Sequence, residues 1–173
     1  DAVSAVFTAP VSGIIGPNGA GKTTTMNVVS GFLPAAGTIL YNGEAISRLS
    51  PHQRARWGLR RSFQREQIAD DLSVIDNLRV MLDTLPGSSS QKMADAENAL
   101  RVCGLEGRAH TLAATLNTYE RRLTDVARCL VGSPKIVMLD EPAVGLRQEE
   151  TQHLGNLILK IYLLGRLVQS VLN

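Results

Sequence analysis

Gly16-Pro17-Asn18-Gly19-Ala20-Gly21-Lys22-Thr23 fills every fixed position of the pattern G-x-x-x-x-G-K-[ST]. A phosphate carries several anionic oxygens and must be wrapped closely. Glycines at 16, 19 and 21 let the backbone approach without a Cβ in the way. Successive N–H groups then form an anion nest at the positive end of the helix that follows. Lys22 has the length to reach outer phosphates, and the Thr23 hydroxyl suits Mg²⁺. Val11-Ser12-Gly13-Ile14-Ile15 before this loop reads as a short buried strand. Lys22 to Ser30 after it reads as a helix, stopped by Gly31 and Pro34.

A second motif lies downstream. Lys135-Ile136-Val137-Met138-Leu139-Asp140-Glu141 is an apolar run ending in two carboxylates. The run suits a strand buried on both faces of a parallel sheet, whose carboxyl end is where open α/β sheets place ligands. A strand that merely ends in solvated acids is the plain alternative. Below a phosphate loop, Asp140 reads instead as part of a Mg²⁺ shell, and Glu141 as the group that polarises a water against a terminal phosphate.

Together these motifs resemble the ABC-type ATPases. Asp140-Glu141-Pro142 with Ala143-Val144-Gly145-Leu146 is similar to their Walker B and D-loop. Arg61-Ser62-Phe63-Gln64 is similar to the segment carrying their Q-loop glutamine, and Leu116 to Arg128 to their signature region. More narrowly, Gly16 to Thr24, Arg61 to Gln64 and Glu120-Arg121-Arg122-Leu123 resemble ATP-binding subunits of branched-chain amino acid importers and their urea and amide relatives. The resemblance implies an α/β fold: a P-loop core, a small antiparallel β subdomain and a helical subdomain. It implies ATP and Mg²⁺ as cofactors. ATP would contact Gly16, Pro17, Asn18, Gly19, Ala20, Gly21, Lys22, Thr23, Thr24 and Gln64. Thr23, Gln64 and Asp140 would serve the metal, with Glu141 catalytic. The implied partners are a second ATP-binding subunit, an integral-membrane permease and, indirectly, a solute-binding protein. The implied place is the cytoplasmic face of the inner membrane. Two other readings stand beside it: a soluble ABC-type ATPase acting on nucleic acid or ribosomes, and a non-hydrolysing nucleotide-binding paralogue.

The 173 residues suffice for one domain with its own core. A net charge of +2 gives no general argument for nucleic acid. Cys103 and Cys129 have no metal spacing and read as buried thiols. The apolar tail stretch, residues 158–168, is too short and too charged to span a bilayer, so a membrane role must come through a partner. His52, His110 and His153 are scattered and read as surface residues.

Asn42-Gly43 between two β-prone runs predicts a hairpin. Ser50-Pro51 predicts a helix start, ended by Gly58 after Trp57, and Arg60 to Gln64 a strand. Arg54, Arg56, Arg60, Arg61 and Arg65 read as a solvated basic face, with contact to a membrane partner as the functional alternative and nucleic acid third, since only Trp57 and Phe63 interleave. Residues 70–115 read as a helical arm between core segments 1–69 and 116–173. Ser73 with Asp76 suggests its first cap, and Met93, Ala96, Leu100 and Cys103 a second helix ended by Gly104. Ser88 to Ser90 reads as a flexible loop.

The chain departs from the family pattern in three places. Tyr119 stands where the signature has glycine. No strand and switch histidine follow the D-loop; Tyr162 to Ser170 looks like the family's late hairpin instead. Ala2 to Phe7 is a compressed leading strand, and Phe7 is not the adenine-stacking aromatic. One expectation covers all three: a longer polypeptide, with further segments near Phe7–Val11, between Tyr119 and Glu120, between Ile161 and Tyr162, and between Ser170 and Val171.

Overall fold

The computed structural model describes residues 3–9, 11–163 and 169–171. Helix α1 (Lys22–Ser30) starts where the glycine-rich loop ends and stops at Gly31, whose φ of 83° carries its N–H back to the Val28 carbonyl. Strands β1 (Leu40–Tyr41) and β2 (Glu44–Ala45) form the hairpin that Asn42-Gly43 predicts, with φ of 48° and 81° at the two turn residues. Helix α2 (Pro51–Trp57) is capped reciprocally by Ser50 and Gln53, with proline at its first position. Gly58 ends it and leads into β3 (Leu59–Arg61).

The helical arm follows. Helix α3 (Val74–Val80) has Ser73 as its cap, and α4 (Ser89–Cys103) ends at Gly104 in the left-handed region. Ser88 to Ser90 is not a free loop. Ser88 caps α4 through the Gln91 N–H, and Ser89 and Ser90 lie inside its first turn. A serine run before a helix former offers a cap, and that capping outweighs the chain entropy the reading emphasised. Helix α5 (Thr118–Leu130) runs unbroken through Tyr119 and Glu120. Strand β4 (Ile136–Asp140) is buried at every position. Helix α6 (Gln148–Leu163) continues through Ile161 and Tyr162. Strand β5 (Gln169–Val171) completes the described chain.

Two sheets result, the β1–β2 hairpin and a parallel sheet in the order β3-β4-β5. Helices α3 to α6 bury one core against the Val137 and Leu139 face of β4. A second core joins Met26 of α1 and Ile46 to Leu59, Ile136 and Met138. The central strand therefore has helices on one face and the phosphate-loop helix on the other, as its continuous apolar run requires.

Five expectations are corrected. Residues 11–15 form no strand. Ile15 is 83% exposed, while Val11 and Ile14 lie against the first and second core respectively. A strand exists through its ladder, and among the described residues none pairs with this segment. Residues 3–7 likewise form no strand, and Val3 and Val6 are exposed. Beyond the D-loop the reading finds no further strand, yet β5 pairs parallel with β4, Asp140 beside Val171. Tyr162 and Leu163 belong to α6, so the expected late hairpin does not start there; residues 164–168 lie outside the described residues. The basic cluster is a solvated face only at Arg56 and Arg65. Arg54 and Arg60 are each 4% exposed, and the Arg61 side chain is equally covered.

Arg54 shows why burial is tolerated. Its guanidinium donates to the carbonyls of Val28 (2.7 Å) and Val29 (2.6 Å) at the end of α1, and to Leu49 (2.9 Å) and Ser47 (2.8 Å). A cation at a helix C-terminus meets orphan carbonyls and the negative end of the dipole. Burial holds its pKa below the usual arginine value. Arg60 donates to the Ala55 carbonyl.

Candidate functional site

The glycine-rich loop folds over its own lysine. Gly19 and Gly21 adopt φ of 84° and 89°, and Gly21 precedes α1 without any side-chain cap. The Ala20 N–H donates to Pro17. Lys22 Nζ donates to the carbonyls of Gly16 (2.5 Å) and Pro17 (3.1 Å). An uncapped helix start beside a lysine held by weak neutral acceptors favours an incoming anion, which can take both the ammonium and the loop N–H groups. Asn18, Gly19, Ala20, Thr23 and Thr24 are exposed, so the loop is open to a ligand.

The second half of the site is set by the β3–β4 register. Arg61 lies beside Met138 in the parallel pair, so continuing the chain carries Ser62, Phe63 and Gln64 along Leu139, Asp140 and Glu141. Arg61 Nη2 reaches Asp140 Oδ2 at 3.0 Å. Ser62 Oγ accepts the Asp140 N–H at 3.1 Å, and the Ser62 N–H donates to the Met138 carbonyl. The Phe63 ring meets Phe32 edge-on at 5.8 Å and stands under the Arg61 guanidinium at 4.8 Å. Gln64 Nε2 donates to Glu141 Oε2 at 3.1 Å. Glu141 itself sits at φ 48°, a backbone conformation uncommon outside glycine that turns the chain sharply off the strand end.

The structure thus gathers Gln64, Asp140 and Glu141. It separates them from Lys22, whose ammonium stays on its own loop, and joins the two halves through α1. Sequence reasoning missed Arg61, which it assigned to a solvated face. The only signal was its place three residues before Gln64, and that carries meaning only once the sheet register is known.

The donor set tests the metal. Thr23 offers a hydroxyl, Asp140 a carboxylate and Gln64 an amide, all hard oxygens suited to Mg²⁺. Among the described residues no group of three or more His, Cys, Asp or Glu could hold a metal by itself. A cation held by few protein oxygens and completed by ligand phosphates and water fits this arrangement.

A buried charged network lies behind Gln64. Arg122 Nη2 pairs with Glu66 Oε1 at 3.4 Å, Arg128 pairs with Asp125 at 3.6 Å, and Arg128 also donates to the Gln67 carbonyl. Helix α5 is thereby tied to the segment that follows Gln64. Burial pushes the Asp125 carboxyl up to about 6, against the pull of Arg128 and Arg122. At the start of α5, Asn117 Oδ1 accepts the Glu120 N–H (2.9 Å) and Glu120 Oε2 accepts the Asn117 N–H (3.1 Å). Tyr119 packs half-buried against the larger core.

The ABC transporter family profile matches residues 5–144. The chain is 37% identical to the high-affinity branched-chain amino acid transport ATP-binding protein LivG of Escherichia coli, across 86% of this chain and 64% of that protein. It is 38% identical to BraF of Pseudomonas aeruginosa, of the same description, across 87% of this chain and 66% of that protein. It is also 37% identical to the lipopolysaccharide export ATP-binding protein LptB of Acidithiobacillus ferridurans, across 82% and 59%. The chain spans less than two thirds of the length of these curated relatives. Among solved structures, CbiO1 of Clostridium perfringens superposes with a TM-score of 0.83 at 23% identity, across 94% of this chain and 67% of that one. The ADP conformation of the cassette MJ1267 superposes with 0.79 at 22% identity, across 94% and 68%. At these identities the likeness is one of fold.

Proposed function

This chain belongs to the ABC transporter family, and on that premise we propose that it binds and hydrolyses ATP to power a membrane importer. The solute proposed is a branched-chain amino acid or a related small polar molecule, since two relatives are described as branched-chain amino acid transport proteins. One observation carries the reading: Gln64 and Glu141 meet at 3.1 Å beside Asp140, at the carboxyl end of a strand that packs on the helix leading out of the lysine-bearing loop.

In this reading the loop N–H groups, Lys22, Thr23 and Thr24 hold the phosphates. Bound Mg²⁺ would neutralise phosphate charge, with Thr23, Asp140 and Gln64 around it. Glu141 takes a proton from the attacking water. The Gln64–Glu141 hydrogen bond keeps that carboxylate ordered before the ligand arrives. The network from Glu66 to Arg122 gives the same segment a mechanical link to α5. Among the described residues no helix is long and apolar enough to cross a membrane. A permease partner, a second ATP-binding subunit and a place on the cytoplasmic membrane face belong to the same proposal, as does the division into core and helical arm at residues 70–115.

A second reading, a nucleotide-binding paralogue that hydrolyses poorly, has one specific observation behind it. Tyr119 replaces the signature glycine, and at the start of α5 the Glu120 and Asn117 N–H groups are taken up by the helix's own Asn117–Glu120 capping pair. Both readings are tested by the same pair of variants. Lys22→Ala should abolish binding of a fluorescent ATP analogue. Glu141→Gln should retain binding and lose ATP turnover by orders of magnitude. Equal nucleotide affinity in Lys22→Ala removes the ATP-binding reading. Wild-type protein that binds ATP yet turns it over no faster than Glu141→Gln selects the paralogue.

A further inference from the structure

We propose that Arg61 is a positioning residue that fixes Asp140 relative to Thr23, and so sets how tightly nucleotide binding depends on a divalent cation. The inference rests on the ATP-binding reading of this site. Its basis is the set of groups that one guanidinium joins. Nη2 holds Asp140 Oδ2 at 3.0 Å at the end of β4. Nη1 holds Asn27 Oδ1 at 2.7 Å and reaches Ser30 Oγ at 3.4 Å, both on α1. The guanidinium carbon stands 4.8 Å from the ring centre of Phe63, the residue just before Gln64. The Arg61 and Asp140 side chains are 4% and 5% exposed, so neither exchanges freely for water.

Helical spacing makes the arrangement informative. Thr23, Asn27 and Ser30 stand at i, i+4 and i+7 on α1, one face of the helix. The face that carries Thr23 is therefore the face that Arg61 grips. Thr23 and Asp140 come from different elements, and no hydrogen bond between them exists among the described residues. Mg²⁺ tolerates little deviation from octahedral geometry, so two donors on separate elements need a rigid strut. Arg61 is that strut. A lysine could not replace it, because a point charge cannot hold Asn27 and Asp140 together while standing over the Phe63 ring.

The test uses the full chain and a fluorescent ATP analogue titrated twice, once in excess EDTA and once with Mg²⁺. Wild-type protein should bind in both, more tightly with Mg²⁺. Arg61→Gln should bind as wild type in EDTA and lose about tenfold of the Mg²⁺ enhancement, the scale on which groups that orient metal ligands act. Arg61→Lys should lose part of it. Asp140→Asn should lose the enhancement as well, and adding Arg61→Gln to it should change nothing further, because the arginine acts through that carboxylate. An unchanged Mg²⁺ enhancement in Arg61→Gln overturns the proposal. So does an equal loss in EDTA and Mg²⁺, which marks a purely structural residue, or a double variant whose loss is the sum of the two. If Arg61→Gln does not fold, Arg61→Lys is judged by the same pair of titrations. Wild-type protein that binds no nucleotide in either buffer fails the ATP-binding reading itself, a result distinct from all of these.

Discussion

Replacing Arg54 by methionine keeps an apolar stem and removes the fork that closes the end of α1. Four carbonyls lose a donor: Val28, Val29, Ser47 and Leu49. Val28 keeps the Gly31 N–H at 3.0 Å, leaving three acceptors to be rehydrated or stranded. A stranded buried acceptor costs about 1–3 kcal/mol, so the gross loss is about 3–9 kcal/mol. Against it stands the desolvation of the guanidinium, visible in its lowered pKa and worth several kcal/mol, which methionine does not suffer. The net expectation is a loss of about 3 kcal/mol. At a urea slope of about 2 kcal/mol per molar, this moves the unfolding midpoint down by about 1.5 M. Arg54→Lys should recover little, since one ammonium cannot serve four carbonyls. Arg56→Met, exposed on the same helix, should shift stability by less than about 0.5 kcal/mol. Equilibrium urea unfolding followed by far-UV circular dichroism measures all three. A midpoint for Arg54→Met within about 0.3 M of wild type, at unchanged slope, would refute the claim that this buried cation staples α1 in place.

Other outcomes follow from individual contacts. The Asp125 carboxyl titrates near 6 when folded and near 4 when unfolded, so the folded protein holds a proton that the unfolded chain releases between those values. Stability should therefore fall as pH rises from 4 to 6, by about 3 kcal/mol from this group, and the wild-type-minus-Asp125→Asn difference in urea unfolding should carry that slope with that sign. Gly132 has φ 79°, and a Cβ there would stand 2.4 Å from Leu85 Cδ1 and 2.9 Å from Arg60 Nη2. Gly104→Ala, at φ 70° with open space around it, should cost only the backbone strain of about 1 kcal/mol, and Gly132→Ala should cost more, since the Leu85 and Arg60 side-chain ends must also move aside. A thermal melt that ranks the two equally would contradict the packing drawn around Gly132. Gln64→Ala removes the donor on Glu141 and should lower Mg²⁺-dependent ATP turnover more than nucleotide affinity; equal losses in both would make Gln64 a binding residue only.

The sequence alone determined what depends on neighbours within about one helical turn. The bounds of α1, the Asn42-Gly43 turn, the Ser50-Pro51 start of α2 and the glycine stops follow from capping, fixed φ and left-handed backbone, each a property of a few adjacent residues. The glycine-rich loop and the Asp140–Glu141 strand end were legible for the same reason. The tertiary structure decided what those pieces do to one another. Arg61 and Asp140 are 79 residues apart, and Gln64 and Glu141 are 77 apart. Their meeting depends on the parallel register of β3 against β4. A shift of one residue in that register would turn each side chain to the opposite face. The burial of Arg54 was hidden similarly. An arginine among arginines looks solvated until the chain delivers four carbonyls around it, and those come from the end of α1 and the turn before α2, segments with no sequence mark of their role. The failed strand at residues 11–15 is the converse. Its apolar pattern was adequate, but a strand is a property of two segments, and among the described residues the second is absent.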